Sequence, residues 1–232
     1  MRLERTARGP LRIGHRGAAA LAPANSLEAV EAALAYGMDG VEIDVVSVEG
    51  RLVAAHSVGE AGPASPLLED AVALVAASDA FLVCDVKEAG REAELVAPLR
   101  RHALAERTVV ASFLGEVLRA TAALEPGLTL ARSYPDDRLG VSEHLPDAAI
   151  EAGLAALRRA LPYRIARMLR APGATAATLH HRVISPALVA RCRALGVPIL
   201  AWTVNDRDPL GRVEALGVDG VITDDPRIFE GG

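Results

Sequence analysis

Two histidines, an arginine, a lysine and three carboxylates stand at short, regular spacings near the start of this chain. His15 and Arg16 lie between Gly14 and Gly17, Glu42 and Asp44 share the run Val41–Val45, His56 closes the run Leu52–His56, and Asp85 and Lys87 share the run Cys84–Lys87. Side chains two apart on a strand point to the same face, so Glu42 with Asp44 and Asp85 with Lys87 each aim as a pair. Acids that point inward are rare unless they are paired or hold a cation. Three converging carboxylates repel one another, and a hard divalent cation relieves that repulsion; all-oxygen ligation suits Mg²⁺ or Ca²⁺ rather than zinc. His15 and His56 supply two groups that titrate near neutrality, one able to take a proton while the other gives one. The planar donor fork of Arg16 matches phosphate oxygens. Together these are the parts of an acid–base site for a metal-bound phosphate ester. The plainer alternatives are ion pairs of the acids with Arg16 and Lys87 alone, a rim salt bridge of Arg16 with Glu42 or Asp85, and histidines that are merely satisfied core groups.

Such groups need a scaffold that brings strand ends together. Apolar runs at Leu11–His15, Gly40–Val46, Phe81–Lys87, Thr108–Ser112, Leu128–Arg132, Ala174–His180, Pro198–Thr203 and Gly220–Thr223 read as strands. Arg51–His56 reads as a hairpin arm behind the turn Glu49-Gly50. Helical spacing falls between them, at Ser26–Tyr36 with Ser26 as N-cap, Leu67–Ala77, Glu92–His102, Leu114–Leu124, Pro186–Leu195 and Pro209–Leu216. Ala148–Leu169 is helical in pattern with an interruption expected at Pro162, and the tail from Asp225 is too short for a full helix. Repeated strand–helix units with apolar strands imply a parallel sheet. Eight strands in 232 residues predict an α/β fold of one domain, a closed (β/α)8 TIM barrel whose last helix is short. In that barrel reactive side chains gather at the C-terminal strand ends, where His15, Glu42, Asp44, Asp85, Lys87, Ser112, Arg132, His180 and Trp202 fall. His102 and His144 read as surface groups, and of the adjacent His180 and His181 at most one faces inward.

Composition narrows the function. A formal net charge of −5 provides no basic footprint for nucleic acid or an anionic membrane. No apolar N-terminal run resembles a secretory signal, and no stretch is long enough for stable membrane insertion, so a cytoplasmic location is expected. Cys84 and Cys192 are too few and too far apart for a disulfide framework. Arginine supplies nearly every cation: Lys87 is the single lysine among 25 basic residues, Asn25 and Asn205 are the two asparagines, Trp202 is the one tryptophan, and glutamine is absent. These survivors all lie beside expected strand ends, and Lys87 stands where arginine would have been the default choice.

The combination resembles the glycerophosphodiester phosphodiesterase family. The resemblance rests on His15-Arg16-Gly17, Pro23-Ala24-Asn25, Glu42-Ile43-Asp44, His56-Ser57, Asp85-Val86-Lys87, Trp202 to Asn205, and Gly217 to Pro226. It spans nearly the whole chain, and the set is specific although each fragment alone is weak. It implies a TIM barrel that hydrolyses a small-molecule glycerophosphodiester to glycerol phosphate and an alcohol. It further implies catalysis by His15 and His56, phosphate or substrate contacts from Arg16, Lys87 and Trp202, and a divalent cation, Mg²⁺ or Ca²⁺, on Glu42, Asp44 and Asp85. Attack is by the glycerol's own 2-hydroxyl, through a cyclic phosphate, or by water. Three departures from the family pattern stand out. Ala24 replaces a glutamate, Ser57 replaces an aspartate, and Asp85 is one methylene shorter than the family's glutamate. Only Ser57 to Pro66 occupies the usual insertion, which implies an open mouth. The departures motivate a rival reading, a catalytically weak barrel that binds a phosphorylated ligand; a lysophospholipase D-type phosphodiesterase is a neighbouring one.

Overall fold

The structure is a computed structural model that describes residues 1–136 and 146–230. Its strands are β1 (Leu11–Gly14), β2 (Gly40–Val48), β3 (Arg51–Ala54), β4 (Phe81–Val86), β5 (Thr108–Ser112), β6 (Thr129–Tyr134), β7 (Ala176–His180), β8 (Ile199–Trp202) and β9 (Gly220–Thr223). Between them run α1 (Leu27–Ala35), α2 (Leu68–Ala76), α3 (Glu92–Arg101), α4 (Gly115–Leu124), α5 (Asp147–Arg170), α6 (Pro186–Ala194) and α7 (Arg207–Leu216). Parallel pairing proceeds from β2 through β4 to β9 and then β1, and β1 pairs back onto β2, so eight parallel strands close a barrel. β3 lies outside that ring, antiparallel to β2. Among the described residues, β9 is followed by a short 3-10 turn, Pro226–Phe229.

The alternation of the strands explains both layers of the core. Val41, Ile43 and Val45 of β2 and Leu82, Cys84 and Val86 of β4 face the surrounding helices. The other phase of the strands packs inside the barrel, as Ile13, Phe81, Val83, Val109, Ala111, Ala131, Ala176, Leu200 and Ile222, with Leu3 closing the lower end. Gly40 and Gly220 make room for the large members of this layer. A Cβ on Gly40 would sit 2.6 Å from the Phe81 ring, and one on Gly220 2.6 Å from Leu200. Higher up, β5 to β7 contribute Ala111, Ser133 and Thr178, too small to fill the centre, so the barrel opens into a cavity there.

α5 departs from expectation, because Pro162 does not interrupt it. Proline removes one backbone donor and costs about 3 kcal/mol in a helix interior. Leu161, Ile165 and Leu169 are all buried against the barrel on one stripe, and that burial holds the helix continuous through the proline. His144 lies outside the described residues.

Two local features aim the site. Ser26 caps α1, its side chain accepting from the Ala29 N–H at 3.1 Å. Before it, the segment from His15 to Asn25 is laced to the strands beside it: His15 N–H donates to Thr223 O at 2.7 Å, Gly17 N–H to Glu42 O at 3.0 Å, and Asn25 N–H to Arg16 O at 3.0 Å. Arg16 (φ 51°) and Asn25 (φ 60°) both take the left-handed conformation to do this. Gly17 (φ 85°) lies so close to the α1 backbone that a Cβ would come within 2.4 Å of the Ala29 carbonyl carbon. On the other side, the hairpin β2–β3 returns through Glu49 (φ 48°) and Gly50 (φ 78°). The Ala55 N–H then donates to Asp44 O at 3.2 Å, which delivers His56 to the mouth.

Candidate active site at the barrel mouth

A cavity of about 680 Å³ opens at the C-terminal strand ends, and His15, Arg16, Glu42, Asp44, His56, Asp85, Lys87 and Trp202 all line it. Asp44 and Asp85 are register partners on β2 and β4. With Glu42 they present three carboxylate oxygens within 4.8 Å of one another.

Asp44 is the hub. Its side chain is 2% exposed, and its Oδ1 lies 2.5 Å from Lys87 Nζ. Its Oδ2 takes a hydrogen bond from Asn25 Nδ2 at 3.0 Å and lies 3.2 Å from His56 Nδ1. Arg16 Nε also approaches Oδ2, at 3.0 Å. That N–H is not aimed at the oxygen, so the contact is an ion pair without a hydrogen bond, and the buried nitrogen lacks an acceptor. His56 Nδ1 is 3.0 Å from Arg16 Nη2 as well. One ring nitrogen cannot donate to Asp44 and accept from Arg16 together, and attraction to the carboxylate favours donation to Asp44. Burial alone would raise the Asp44 carboxyl, but His56, Lys87 and Arg16 outweigh it and hold Asp44 well below the usual carboxylate range. The ion pair of Arg16 is thus with Asp44, not the rim salt bridge with Glu42 or Asp85 that was the plainer alternative to a phosphate contact; Glu42 instead accepts the Arg16 backbone N–H, at 2.9 Å.

Lys87 also bonds Asp85 Oδ2. Burial would lower its ammonium, and the three acids more than reverse that, so Lys87 stays charged. Glu42 has the least compensation. Its only cationic neighbour by direct contact among the described residues is His15 Nε2, 3.9 Å away. Burial and the adjacent Asp44 push its carboxyl up to about 7. Asp85 is raised too, by burial, against the pull of Lys87. The cluster thus sets three carboxylates against two directly paired permanent cations, Arg16 and Lys87. Buried, oxygen-only and mutually repelling, the three carboxylates fit a hard divalent cation.

Five partners escaped the sequence reading. Asp224 Oδ1 lies 2.7 Å from His15 Nδ1. Asn205 grips Asp224 in turn, and Asn25 grips Asp44. Ser133 Oγ reaches Asp85 Oδ1 at 3.4 Å and Thr178 Oγ1 at 2.7 Å, beneath the shortened side chain. Asp224 lies in the Gly217 to Pro226 run, and both asparagines were notable for rarity; no spacing rule marks Ser133 or Thr178. Burial would lower the His15 imidazole, yet the Asp224 hydrogen bond and the charge of Glu42 raise it overall. Ala24 is exposed at the rim, next to the buried Asn25. Ser57 Oγ turns to Glu60 at 3.4 Å.

The far wall is apolar. Trp202 meets Phe113 edge-on, 6.2 Å between centroids, and Lys87 Nζ lies 6.0 Å from the Phe113 ring centre. His180 stacks edge-on against Trp202 at 5.2 Å but does not reach the acids; burial and Arg182 hold it down to about 4. His102 faces Glu69 on the outer helices at 3.6 Å. Ser112 is turned to the backbone, donating to Val86 O at 2.7 Å. Arg132 donates to Phe113 O.

A compact ammonium fits between Asp44 and Asp85, whereas a wide guanidinium would push them apart. Lys87→Arg should therefore lose at least roughly tenfold in kcat/KM, about 1.4 kcal/mol of transition-state stabilisation, while keeping the charge. Steady-state kinetics at matched folded fraction checks this. A parent-like rate would make Lys87 a rim ion-pair partner only.

The sequence model of the glycerophosphoryl diester phosphodiesterase family matches residues 15–61 and 83–228. A glycerophosphodiester phosphodiesterase of Caldanaerobacter subterraneus subsp. tengcongensis is 26% identical over 92% of this chain and 93% of its own length. One from Arabidopsis thaliana is 27% identical over 96% of this chain and 73% of its own length. Among solved structures, a glycerophosphoryl diester phosphodiesterase from Silicibacter pomeroyi superposes with a TM-score of 0.76 at 22% identity, covering 98% of this chain and 94% of that one. A phosphodiesterase of Oleispira antarctica, solved with the product sn-glycerol-3-phosphate, superposes with a TM-score of 0.73 at 22% identity, covering 96% of both chains.

Proposed function

Since the chain belongs to the glycerophosphoryl diester phosphodiesterase family, we propose that it is a phosphoric diester hydrolase that cleaves glycerophosphodiesters to glycerol phosphate and an alcohol. The observation that carries the reading is the convergence of His15, His56, Arg16 and Lys87 on one cavity with the acidic cluster Glu42, Asp44 and Asp85. The product named for the Oleispira antarctica relative, sn-glycerol-3-phosphate, has the same chemistry.

The histidines carry the protons. His15, with Nδ1 tied to Asp224, keeps Nε2 for the attacking hydroxyl, whether the glycerol's own or that of water. His56, whose side chain is 44% exposed, reaches the departing alcohol from the open side. Arg16 and Lys87 stabilise charge on the phosphoryl oxygens. Trp202 and Phe113 border the space left for the alcohol. Glu42, Asp44 and Asp85 would hold a divalent cation, Mg²⁺ or Ca²⁺, which when bound supplies Lewis-acid charge to the phosphate. No described helix is long and apolar enough to cross a membrane. Both cysteines are free and buried, and a cytoplasmic location is proposed on the ground that a reducing compartment keeps thiols free.

Turnover of glycerophosphocholine or bis(p-nitrophenyl) phosphate, with and without divalent metal, tests the proposal. Chelation should remove activity, and Mg²⁺ or Ca²⁺ should restore it. The restoring ion should also raise the melting temperature, by about 2.7 kcal/mol of added stability at one hundred times its Kd. Full activity after exhaustive chelation, with no thermal shift, would remove the cation from the mechanism. No turnover with either substrate under any metal would favour the ligand-binding barrel.

A further inference from the structure

The chain's two asparagines, Asn25 and Asn205, make the same unusual contact at the two strands that flank β1. Asn25 Oδ1 accepts the backbone N–H of Asp44 at 3.0 Å while its Nδ2 donates to Asp44 Oδ2 at 3.0 Å. Asn205 Oδ1 accepts the backbone N–H of Asp224 at 3.0 Å while its Nδ2 donates to Asp224 Oδ2 at 2.5 Å. Each amide thus holds one aspartate by main chain and side chain at once. Each clasped aspartate then faces one histidine, Asp44 the ring of His56 and Asp224 the ring of His15.

The two arrays differ in how their charge is used. Asp44 is shared among Lys87, Arg16 and the acidic cluster. Asp224 lies outside that cluster, and among the described residues its direct side-chain partners are His15 and Asn205. A carboxylate oxygen only accepts, so the 2.7 Å contact puts the proton of neutral His15 on Nδ1 and leaves Nε2 as the basic nitrogen. The Asn205 clasp removes the rotation that would let Asp224 swing off the ring. Thr223 Oγ1 donates to the same Asn205 Oδ1 at 3.2 Å, which fixes the amide orientation.

Resting on the hydrolase reading for the role of His15, we propose that Asp224, held by Asn205, is the positioning residue that sets the tautomer and direction of His15. Asp224 touches no reacting atom. It acts by fixing the ring of His15 so that Nε2 is presented to the cavity.

Three variants and two readouts test this. Asp224→Asn removes the charge and leaves one oxygen for two donors, so its NH2 faces either Asn205 Nδ2, undoing the clasp, or His15 Nδ1, inverting the tautomer. It should lower kcat at least roughly tenfold, with KM and the cation-induced thermal shift unchanged. The double exchange Asn205→Asp with Asp224→Asn re-forms the clasp with donor and acceptor reversed, and should recover part of that loss. The second readout needs no turnover. On the high-pH plateau, where the ¹⁵N shifts of the His15 ring no longer change with pH, spectra of the parent should show His15 protonated at Nδ1, and Asp224→Ala should give a mixture of tautomers. A kcat for Asp224→Asn within about threefold of the parent's at equal folded fraction, or a parent His15 protonated at Nε2, overturns the proposal. An inactive parent that still shows the Nδ1 tautomer, lost in Asp224→Ala, would fault the hydrolase reading and support the positioning role.

Discussion

Asp44→Asn should cost more activity than any other single exchange at the mouth, about 10³-fold or more in kcat, since it removes a cation ligand and the orienting partner of His56 together. The size follows from what surrounds the side chain. Asn25, His56, Arg16 and Lys87 all present donors or positive charge to its two oxygens. An amide has one oxygen, so the exchange must turn an NH2 group toward at least one of these donors. It also cancels the only carboxylate in ion-pair contact with the Arg16 guanidinium among the described residues. Leaving a buried cation without its partner is far costlier than the difference in size between the two side chains. The variant should melt lower than the parent and lose most of the thermal shift on adding Mg²⁺ or Ca²⁺. Rate, melting temperature and metal titration on one preparation check the prediction. A kcat within about tenfold of the parent's would show that neither the cation nor His56 depends on Asp44.

The barrel was legible because its signals are local and repeated. Each strand is a short apolar run with helical spacing behind it, and buried parallel strands need no long-range knowledge to be recognised. Pro162 misled because a local rule met a tertiary fact: burial of Leu161, Ile165 and Leu169 is decided by what packs against α5, and nothing within the helix sequence reports it. The same division holds at the site. Glu42 with Asp44, and Asp85 with Lys87, sit two apart on single strands, so their common direction is written in the spacing. His15 and Asp224 come from the first and last strands, 209 positions apart, and only barrel closure makes them neighbours. Asn25 and Asn205 were conspicuous as the only residues of their type, but composition alone could not say which side chains they would grip. The plainer alternative for Arg16 was a rim salt bridge with Glu42 or Asp85; from a left-handed backbone its guanidinium meets Asp44 instead. That conformation depends on how tightly Gly17 packs on α1.

His15→Ala and His56→Ala should each lower turnover by about 10² or more, and the two losses should respond differently to the leaving group. His15 is enclosed, its Nδ1 on Asp224 and its Nε2 3.9 Å from Glu42. Two nearby negative charges favour the protonated ring, which is what a group that accepts a proton in the transition state requires. His56 is the more exposed of the two, at 44% against 17%, and is the proton donor to the departing alcohol in the proposed mechanism. A leaving p-nitrophenolate departs without needing a proton, whereas choline or another simple alcohol cannot. His56→Ala should therefore be much less impaired on bis(p-nitrophenyl) phosphate than on glycerophosphocholine, while His15→Ala should be impaired on both. Both variants should fold, since neither ring is part of the apolar layer inside the barrel. The checking measurement is the ratio of the two kcat/KM losses for each variant. If the ratios are reversed, His15 is the acid and His56 the base. If both ratios are near one, proton donation to the leaving group comes from elsewhere in the cavity, and Lys87, whose ammonium lies beside the carboxylate pair, becomes the next candidate donor.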